Sequence, residues 1–570
     1  MPGELTIKIA GEAGQGMQSV GTALGQVFRQ AGLNIFATQD FMSRIRGGNN
    51  FFQISISSTP LLAPRQKCDI LVALDKGSIP LHRATLTARG KLIMDQKKFG
   101  ITEAAENYFD VPYYDLAEKI GGGELFINSV ASGVLAGITR LKFDFVRQAL
   151  KKIFNNKSQE IIDKNLAAAK AGYDFAVGNY KTEEFAVKQL PIQESLVMNG
   201  HDALALGAIR AGCKFYSAYP MSPSTSIMEN LASLGRDFGI VVEQAEDEIA
   251  AINMVIGASY TGVRSMAATA GGGFALMVEG FSLAGMLETP IVIVDAQRPA
   301  PATGFPTRTE QADLEFLIHA GHGEFARAIF APGTIEQAFY LTVKAFNLAE
   351  KYQIPVLIMT DQYLADSYRN VEKFDLGQAM VKRYRLSKEE STKITNYKRY
   401  QLTDTGVSPL AVPSWINDVV YADSDEHTEE GHITEDGEIR KQMVAKRLFK
   451  KMAGLSAEIE KPEVFNVAGA EVVMIGFGST YGVIKEAAEA LVQKRIGFIH
   501  LSQVWPFPGK AMEVLLKDVK KVVTVENNAS AQLANVLRRE TGIKVTRSIL
   551  KYDGRPFDLD ELITALQKES

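Results

Sequence analysis

Residues 5–9 read Leu-Thr-Ile-Lys-Ile, apolar and polar in strict alternation, and this period of two predicts a strand. A glycine-rich turn follows, and from Met17 to Gln30 the apolar positions recur at helical spacing. Further strands are expected at 51–57, 69–74 and 91–95. Strands alternating with helices over the first 185 residues predict a parallel α/β layer. A polar connector runs from about 181 to 194, and the alternation then restarts. Strands are expected at 214–218, 240–244, 265–269, 290–295, 328–330 and 356–360. Helices are expected between them at 202–211, 225–233, 247–260, 274–287 and 335–351. From about 376 to 455 the rhythm is lost. Pro409, Pro413 and an acidic stretch at 423–438 predict an extended arm that ends in a helix. A third unit starts at about 471, with strands at 472–476, 497–501 and 521–525 and helices at 481–494 and 530–541. The expected fold class is α/β, with three α/β domains at 1–185, 195–375 and 456–570 and the arm at 376–455.

Composition narrows the function. The chain has 570 residues, too many for one core, with 46% hydrophobic and 22% charged residues, as in folded globular proteins. A formal net charge of -4 excludes a broadly basic nucleic-acid surface. No apolar run approaches the roughly 20 residues needed to span a bilayer, and residues 1–9 enter a strand without a basic and apolar leader. A cytoplasmic protein is expected. Only Cys68 and Cys213 are present, and no C-x-x-C occurs. The chain therefore lacks the four thiolates of a typical iron–sulfur site, and both cysteines are expected to be buried and inert.

Several strand ends carry candidate chemistry. Gly11-Glu12-Ala13-Gly14-Gln15-Gly16 lies between a strand and a helix. It is either a loop that lets an anion approach the helix N-terminus or a plain tight turn. Its spacing matches neither the dinucleotide fingerprint nor a Walker loop. Ser43-Arg44-Ile45-Arg46-Gly47-Gly48 suits a phosphate or a docking contact, or is a solvated turn. Tyr219-Pro220-Met221-Ser222-Pro223-Ser224-Thr225 leaves a strand C-terminus, the edge where open α/β sheets bind ligands. Capping accounts for Ser224 or Thr225 but not for a stiff loop that also displays Ser222.

Glu243-Gln244-Ala245-Glu246-Asp247-Glu248 precedes an apolar helix. Dipole stabilisation explains most of these carboxylates, while one at the start of a buried helix can also meet a nitrogenous ring. Thr269-Ala270-Gly271-Gly272-Gly273 forms a second close-approach loop. Arg298 ends the next strand, placed either to grip a carboxylate in a bidentate fork or to make an interface salt bridge. Thr303-Gly304-Phe305-Pro306-Thr307 trails it. Strand ends converging on one edge make a site more credible than any single motif. By contrast, His319 and His322 fit a helix-end packing element, and Glu426 to His432 fits a solvated acidic loop better than a metal site.

Together these residues resemble the fused gamma/alpha subunit of the 2-oxoacid:ferredoxin oxidoreductases, including the 2-oxoglutarate enzymes. Residues 11–16 and 43–48 resemble the gamma domain, and 219–225 is similar to the family's Tyr-Pro-Ile-Thr-Pro-Ser loop. Residues 297–309 resemble its arginine loop, and Trp505 to Pro508 with Val525 to Asn528 resemble its transketolase-type C-terminal domain. Domain 1–185 would then be the gamma-type domain on the coenzyme A side, and 195–375 the pyrimidine-binding domain of thiamine diphosphate enzymes. Domain 456–570 would be transketolase C-terminal-like. Met221-Ser222 stands for Ile-Thr, and Gly271-Gly272-Gly273 stands where Ser-Gly-Pro-Gly is expected.

The resemblance implies that Glu248 bonds the aminopyrimidine of thiamine diphosphate, with Glu246 the competing assignment. Tyr219 and Pro220 would line that cofactor. Ser222, Arg298 and Thr303 would hold the 2-oxoacid, and Gly14 and Gly16 would approach coenzyme A. No Gly-Asp-Gly diphosphate anchor is present. The family places that anchor, with Mg2+ and a [4Fe-4S] cluster, on a separate beta subunit. The implied partners are that beta subunit, in a dimer of alpha–beta heterodimers, and ferredoxin. The implied reaction is thiamine-dependent oxidative decarboxylation of a 2-oxoacid to acyl-CoA and CO2, or the reverse carboxylation. Fusion of the gamma and alpha parts favours 2-oxoglutarate or broad specificity over pyruvate, with pyruvate or another 2-oxoacid the alternative. Two rivals remain at this stage: a non-redox thiamine lyase or transferase subunit, and a binding subunit with a degenerate site.

Overall fold

The computed structural model describes residues 4–568 except 13, 14, 16, 42–47, 104, 121, 122, 182 and 193. The chain divides into two compact units, one formed by Met1–Met198, Asp366–Lys373 and Asp558–Ser570, the other by Asn199–Ala365 and Phe374–Phe557.

The first unit is built on an eight-stranded sheet. Its strands are β1 (Leu5–Glu12), β2 (Asn34–Asp40), β3 (Asn49–Ser57), β4 (Cys68–Ala73), β5 (Leu86–Met94), β6 (Tyr108–Asp110), β7 (Ser195–Met198) and β14 (Tyr368–Glu372), in the order β6-β5-β4-β1-β3-β2-β14-β7. The sheet is mixed, which corrects the expectation of a parallel layer. β1, β4, β5 and β6 run parallel, whereas β3 is antiparallel to β1 and β2, and β14 to β2 and β7. Only the eight residues 41–48 join β2 to β3, too few for a crossover helix, so the pair closes as a hairpin. The apolar face of β1, Ile7 and Ile9, packs against Val20, Leu24, Val27 and Phe28 of the Met17–Gln30 helix. Those positions repeat at the spacing that predicted the helix. Helices Ile127–Ile138 and Gln159–Asn179 approach closely at glycine: a Cβ on Gly133 would stand 1.9 Å from the carbonyl oxygen of Ala169.

The second unit carries two sheets. The seven-stranded one comprises β8 (Phe215–Ala218), β9 (Val241–Gln244), β10 (Ser265–Thr269), β11 (Ile291–Gln297), β12 (Ala328–Phe330), β13 (Pro355–Asp361) and β18 (Gln503–Trp505), in the order β18-β12-β13-β11-β10-β8-β9. All pairs are parallel except β12–β18. The other sheet has five strands, β15 (Glu463–Phe465), β16 (Val472–Phe477), β17 (Ile496–Leu501), β19 (Lys521–Glu526) and β20 (Arg547–Leu550), in the order β15-β17-β16-β19-β20. One apolar core joins them, with Phe274, Phe281, Ile293 and Leu357 in the same buried cluster as Ile475, Ile499, Leu533 and Val536.

The arm ends in a helix from Gly437 to Ser456 whose middle, Ala445–Lys450, widens into a π turn. Residues five apart on an α-helix point about 140° apart. The wider turn brings Lys446 and Lys451 to one side. Both pair with the two oxygens of Glu288, and all three side chains are buried. Arg399 closes the group by donating to the Glu288 carbonyl (2.7 Å). The solvated-loop reading of Glu426 to His432 is corrected here. Glu426 is held by Arg440 and by Arg447 (2.7 Å), while Glu429 and Glu430 both meet Lys398 at 3.0 Å. With the charges paired, His427 is buried with its ring 3.9 Å from that of Tyr400.

Cys68 and Cys213 are both buried, and burial pushes the Cys213 thiol up to about 12. Among the described residues no helix is long and apolar enough to cross a membrane.

Candidate active site

Because β8 to β11 and β13 are parallel, their C-terminal ends lie along one edge of the sheet, where the last backbone groups of each strand and the first N–H groups of the next helix face outward. The turn after β8 folds on itself, with the Ser224 hydroxyl donating to the carbonyl of Met221 at 2.8 Å. That consumes Ser224 and leaves Ser222, half-buried, on the outer side, with Tyr219 exposed beside Pro220. The Ser222 carbonyl accepts from Arg298 Nη1 at 2.7 Å, so the turn after β8 and the end of β11 meet directly.

After β9 the carboxylates separate by role. Asp247 caps the Glu248–Tyr260 helix by accepting from the Ala250 N–H at 2.7 Å. Glu246 is exposed. Glu248 is only 3% exposed, and its Oε1 has no hydrogen-bond partner among the described residues. An isolated buried carboxylate oxygen is costly, and this one sits at a helix N-terminus that favours its charge. Arg298, 9% exposed, is its electrostatic neighbour. Burial pushes that guanidinium below the usual arginine range, and Glu248 opposes the shift.

The helix after β10 begins at Gly271 rather than 274, because glycines carry no apolar pattern from which a start is readable. Two of its three leading glycines are required by space. A Cβ on Gly271 would stand 2.4 Å from Asp313 Oδ2, and one on Gly273 would stand 2.0 Å from Thr269 Oγ1 and 2.4 Å from Glu248 Oε1. At Gly272 the nearest atom, the Ala302 carbonyl oxygen, would be 3.7 Å away. Beyond Arg298 the chain makes an exposed loop that carries Thr303 and Phe305, closed by the Phe305 N–H bonding to the Pro299 carbonyl at 3.1 Å. Thr303 is thus on the rim, apart from the buried Glu248 and Arg298. Gly14 and Gly16 lie outside the described residues, as do residues 43–47.

Sequence reasoning missed a second layer of polar groups. Gln297 Oε1 accepts from the Asp313 N–H at 3.0 Å, and its amide donates to the Thr360 carbonyl at 3.2 Å. Asp295 is wholly buried, with neither carboxyl oxygen bonded among the described residues. Burial, then Asp313, pushes its carboxyl well above the usual range, and burial with Glu310 raises Asp313 to about 6. The readable signal was a lone carboxylate inside the apolar run Ile-Val-Ile-Val-Asp-Ala. Gln311 receives the C-terminal sheet: its amide donates to the Phe477 carbonyl at 2.8 Å and its N–H to the Asn527 carbonyl at 2.7 Å. Glu526 and Asn528 therefore build a docking turn, in which Glu526 Oε2 accepts from the Leu533 N–H at 2.7 Å.

The donor set fits the pyrimidine end of thiamine diphosphate. An aminopyrimidine presents a ring nitrogen that needs a buried acid, and the unpartnered Oε1 of Glu248 stands where glycine leaves open backbone. Glu248, Tyr219 and Pro220 would hold it.

Known proteins match the chain over nearly its whole length. Residues 206–446 match the family described as "Pyruvate flavodoxin/ferredoxin oxidoreductase, thiamine diP-bdg". Residues 6–175 match "Pyruvate ferredoxin/flavodoxin oxidoreductase", and 470–562 match its "core domain II". The chain is 33% identical to the 2-oxoacid:ferredoxin oxidoreductase subunit alpha of a Sulfolobus species, over 98% of this chain and 96% of that one. It is 30% identical to the 2-oxoglutarate synthase subunit KorA of Methanothermobacter marburgensis, over 65% of this chain and 98% of the relative. Its fold matches 2-oxoglutarate:ferredoxin oxidoreductase from Magnetococcus marinus, solved with 2-oxoglutarate, coenzyme A and succinyl-CoA bound. That match has a TM-score of 0.92 and 31% identity and covers 100% of both chains. Similarity of this extent, over nearly the whole length of both chains, makes the chain a member of the 2-oxoacid:ferredoxin oxidoreductase alpha subunits, one part of an oxidoreductase complex.

Proposed function

We propose that the complex containing this chain interconverts 2-oxoglutarate and coenzyme A with succinyl-CoA and CO2, two electrons passing singly to ferredoxin. The observation that carries this reading is the buried Glu248 carboxylate at the strand-end edge, its Oε1 without a hydrogen-bond partner among the described residues and Arg298 its electrostatic neighbour. Bound thiamine diphosphate supplies the nucleophilic carbon and the electron sink. Glu248 exchanges a proton with the ring nitrogen through one of its two carboxylate oxygens. Arg298 holds a substrate carboxylate with the donors not spent on Ser222, and the Ser222 hydroxyl and Thr303 on the rim orient the rest of the molecule. The choice of 2-oxoglutarate is supported by the relatives whose names specify it.

The remaining parts belong to other places in the assembly. Coenzyme A approaches the gamma-type domain at Gly14 and Gly16. A beta subunit brings the diphosphate anchor with Mg2+ and the [4Fe-4S] cluster, in a cytoplasmic dimer of alpha–beta heterodimers. Support for a partner face comes from helices Glu248–Tyr260 and Gly271–Met286, which are apolar on both sides. One side lies in the core, and the other exposes Ile249, Met254 and Leu276.

The test is coenzyme A-dependent ferredoxin reduction by the co-purified complex, across a panel of 2-oxoacids. Turnover highest with 2-oxoglutarate supports the reading. Turnover of pyruvate with none of 2-oxoglutarate overturns the substrate, and normal turnover by a Glu248→Gln complex overturns the site.

A further inference from the structure

We propose that Thr269 is a positioning residue for Glu248, its hydroxyl donating to Oε1 or Oε2, whichever carboxylate oxygen the cofactor leaves unengaged. The inference rests on the role of Glu248 given above. Thr269 ends β10, is wholly buried, and is held in register by pairing with Asp295 of β11. One point in space relates the two side chains. The place a Cβ would occupy on Gly273 is 2.0 Å from Thr269 Oγ1 and 2.4 Å from Glu248 Oε1, which puts the two oxygens within the sum of those distances, 4.4 Å, of each other. Gly273 is therefore the gap through which the hydroxyl and the carboxylate face one another.

The hydrogen-bond inventory on either side is unbalanced. Glu248 Oε1 has no donor among the described residues. Thr269 Oγ1 has as its acceptor the adjacent Ala270 carbonyl at 3.4 Å, beyond the usual range for a hydroxyl donor. A strand end buried among Met266, Ala267 and Ala268 favours valine, which has the same shape and no polar atom to satisfy. A hydroxyl buried at such a position needs an acceptor for its proton. Small rotations about the threonine and glutamate side-chain bonds close the remaining gap.

The consequence is orientation. A carboxylate that passes a proton to a ring nitrogen must keep one oxygen in the ring plane, and a donor on its second oxygen stops rotation about the terminal bond. Thr269 is proposed to act through Glu248, by fixing the orientation of its carboxylate.

The experiment uses the assembled alpha–beta complex with three variants, Thr269→Val, Thr269→Ser and Glu248→Gln. It reads kcat and KM for the oxoacid, thiamine diphosphate affinity by fluorescence quenching, and the near-ultraviolet circular dichroism band of the cofactor's imino tautomer. Thr269→Val is expected to lower kcat by roughly 10-fold to 100-fold with KM nearly unchanged, and to weaken the dichroic band. Thr269→Ser restores both. If Thr269→Val matches wild type in kcat and in the band, or if serine does no better than valine, the proposal is overturned. Should valine prevent assembly, Thr269→Cys, similar in size and a weaker donor, replaces it in the same comparison. Glu248→Gln separates the two readings. Retention of the band and of turnover in that variant defeats the role of Glu248 itself, whereas their loss beside an unaffected Thr269→Val defeats only the role of Thr269.

Discussion

Arg298 Nη1 donates to the main-chain carbonyl of Ser222 at 2.7 Å, which ties the end of β11 to the turn after β8 across the edge of the sheet. The arginine is thus oriented by the protein before any substrate arrives, with its remaining donors available. Lysine offers a single charged point and cannot hold the carbonyl and a carboxylate in the same planar fork. Arg298→Lys is expected to lower kcat/KM for the oxoacid on the order of 10²-fold, and Arg298→Ala by more. Steady-state kinetics of the complex check this, and an unchanged kcat/KM would assign the carboxylate to another cation.

Gly272 and Gly273 are adjacent but not equivalent. A methyl group on Gly273 collides with Thr269 and Glu248, whereas one on Gly272 has its nearest neighbour at 3.7 Å. Gly273→Ala should cost at least about 10²-fold in turnover by displacing the carboxylate. Gly272→Ala should stay within about twofold, as an exposed substitution with room for its methyl. Side-by-side turnover and thiamine affinity decide it. Equal losses would show that the glycine run is needed for backbone freedom rather than for space.

The group around Glu288 has one acid against several cations. Burial works to raise the Glu288 carboxyl, but Lys446, Lys451 and Arg399 outweigh it and hold it far below the usual range. Burial pushes Lys451 down to about 7 against the pull of Glu288. Removing the acid strands two buried lysines, so Glu288→Gln should destabilise the chain by about 3–5 kcal/mol. Lys451→Met, which leaves Glu288 paired with Lys446, should cost clearly less. Denaturant titrations of both variants test the order, and a larger loss for Lys451→Met would reverse the argument.

Asp313 gives a pH signature. Burial, with Glu310 adding, raises its carboxyl from 3.8 to about 6. The folded state then keeps a proton that the unfolded chain has released, so the contribution is full below pH 4 and is lost as pH rises through 6. Relative to Asp313→Asn, wild type should lose on the order of 2–3 kcal/mol between pH 4 and pH 7. Melting curves of both across that range check the sign. A wild type that instead gains stability relative to Asp313→Asn as pH rises would place a cation beside Asp313.

The alternation of apolar positions determined most elements of this protein, because burial on one face imposes a period that survives in the linear string. Strand Ser265–Thr269 and the Met17–Gln30 helix begin and end where that period does. Candidate positions such as Ser222, Glu248 and Arg298 were readable because strand ends with glycine, proline and isolated charge stand out against an apolar background. Three things were decided only by tertiary structure. Antiparallel insertion of β3 depends on pairing energies between segments, which periodicity does not encode. The burial of Glu288 depends on the distant Lys446 and Lys451, and that of His427 on Arg447 and Lys398, which neutralise what looks like a solvated acidic run. The distinction among Glu246, Asp247 and Glu248 depends on the phase at which the helix starts: one carboxylate points to water, the next caps the backbone, and the third enters the interior beside Thr269 and Arg298.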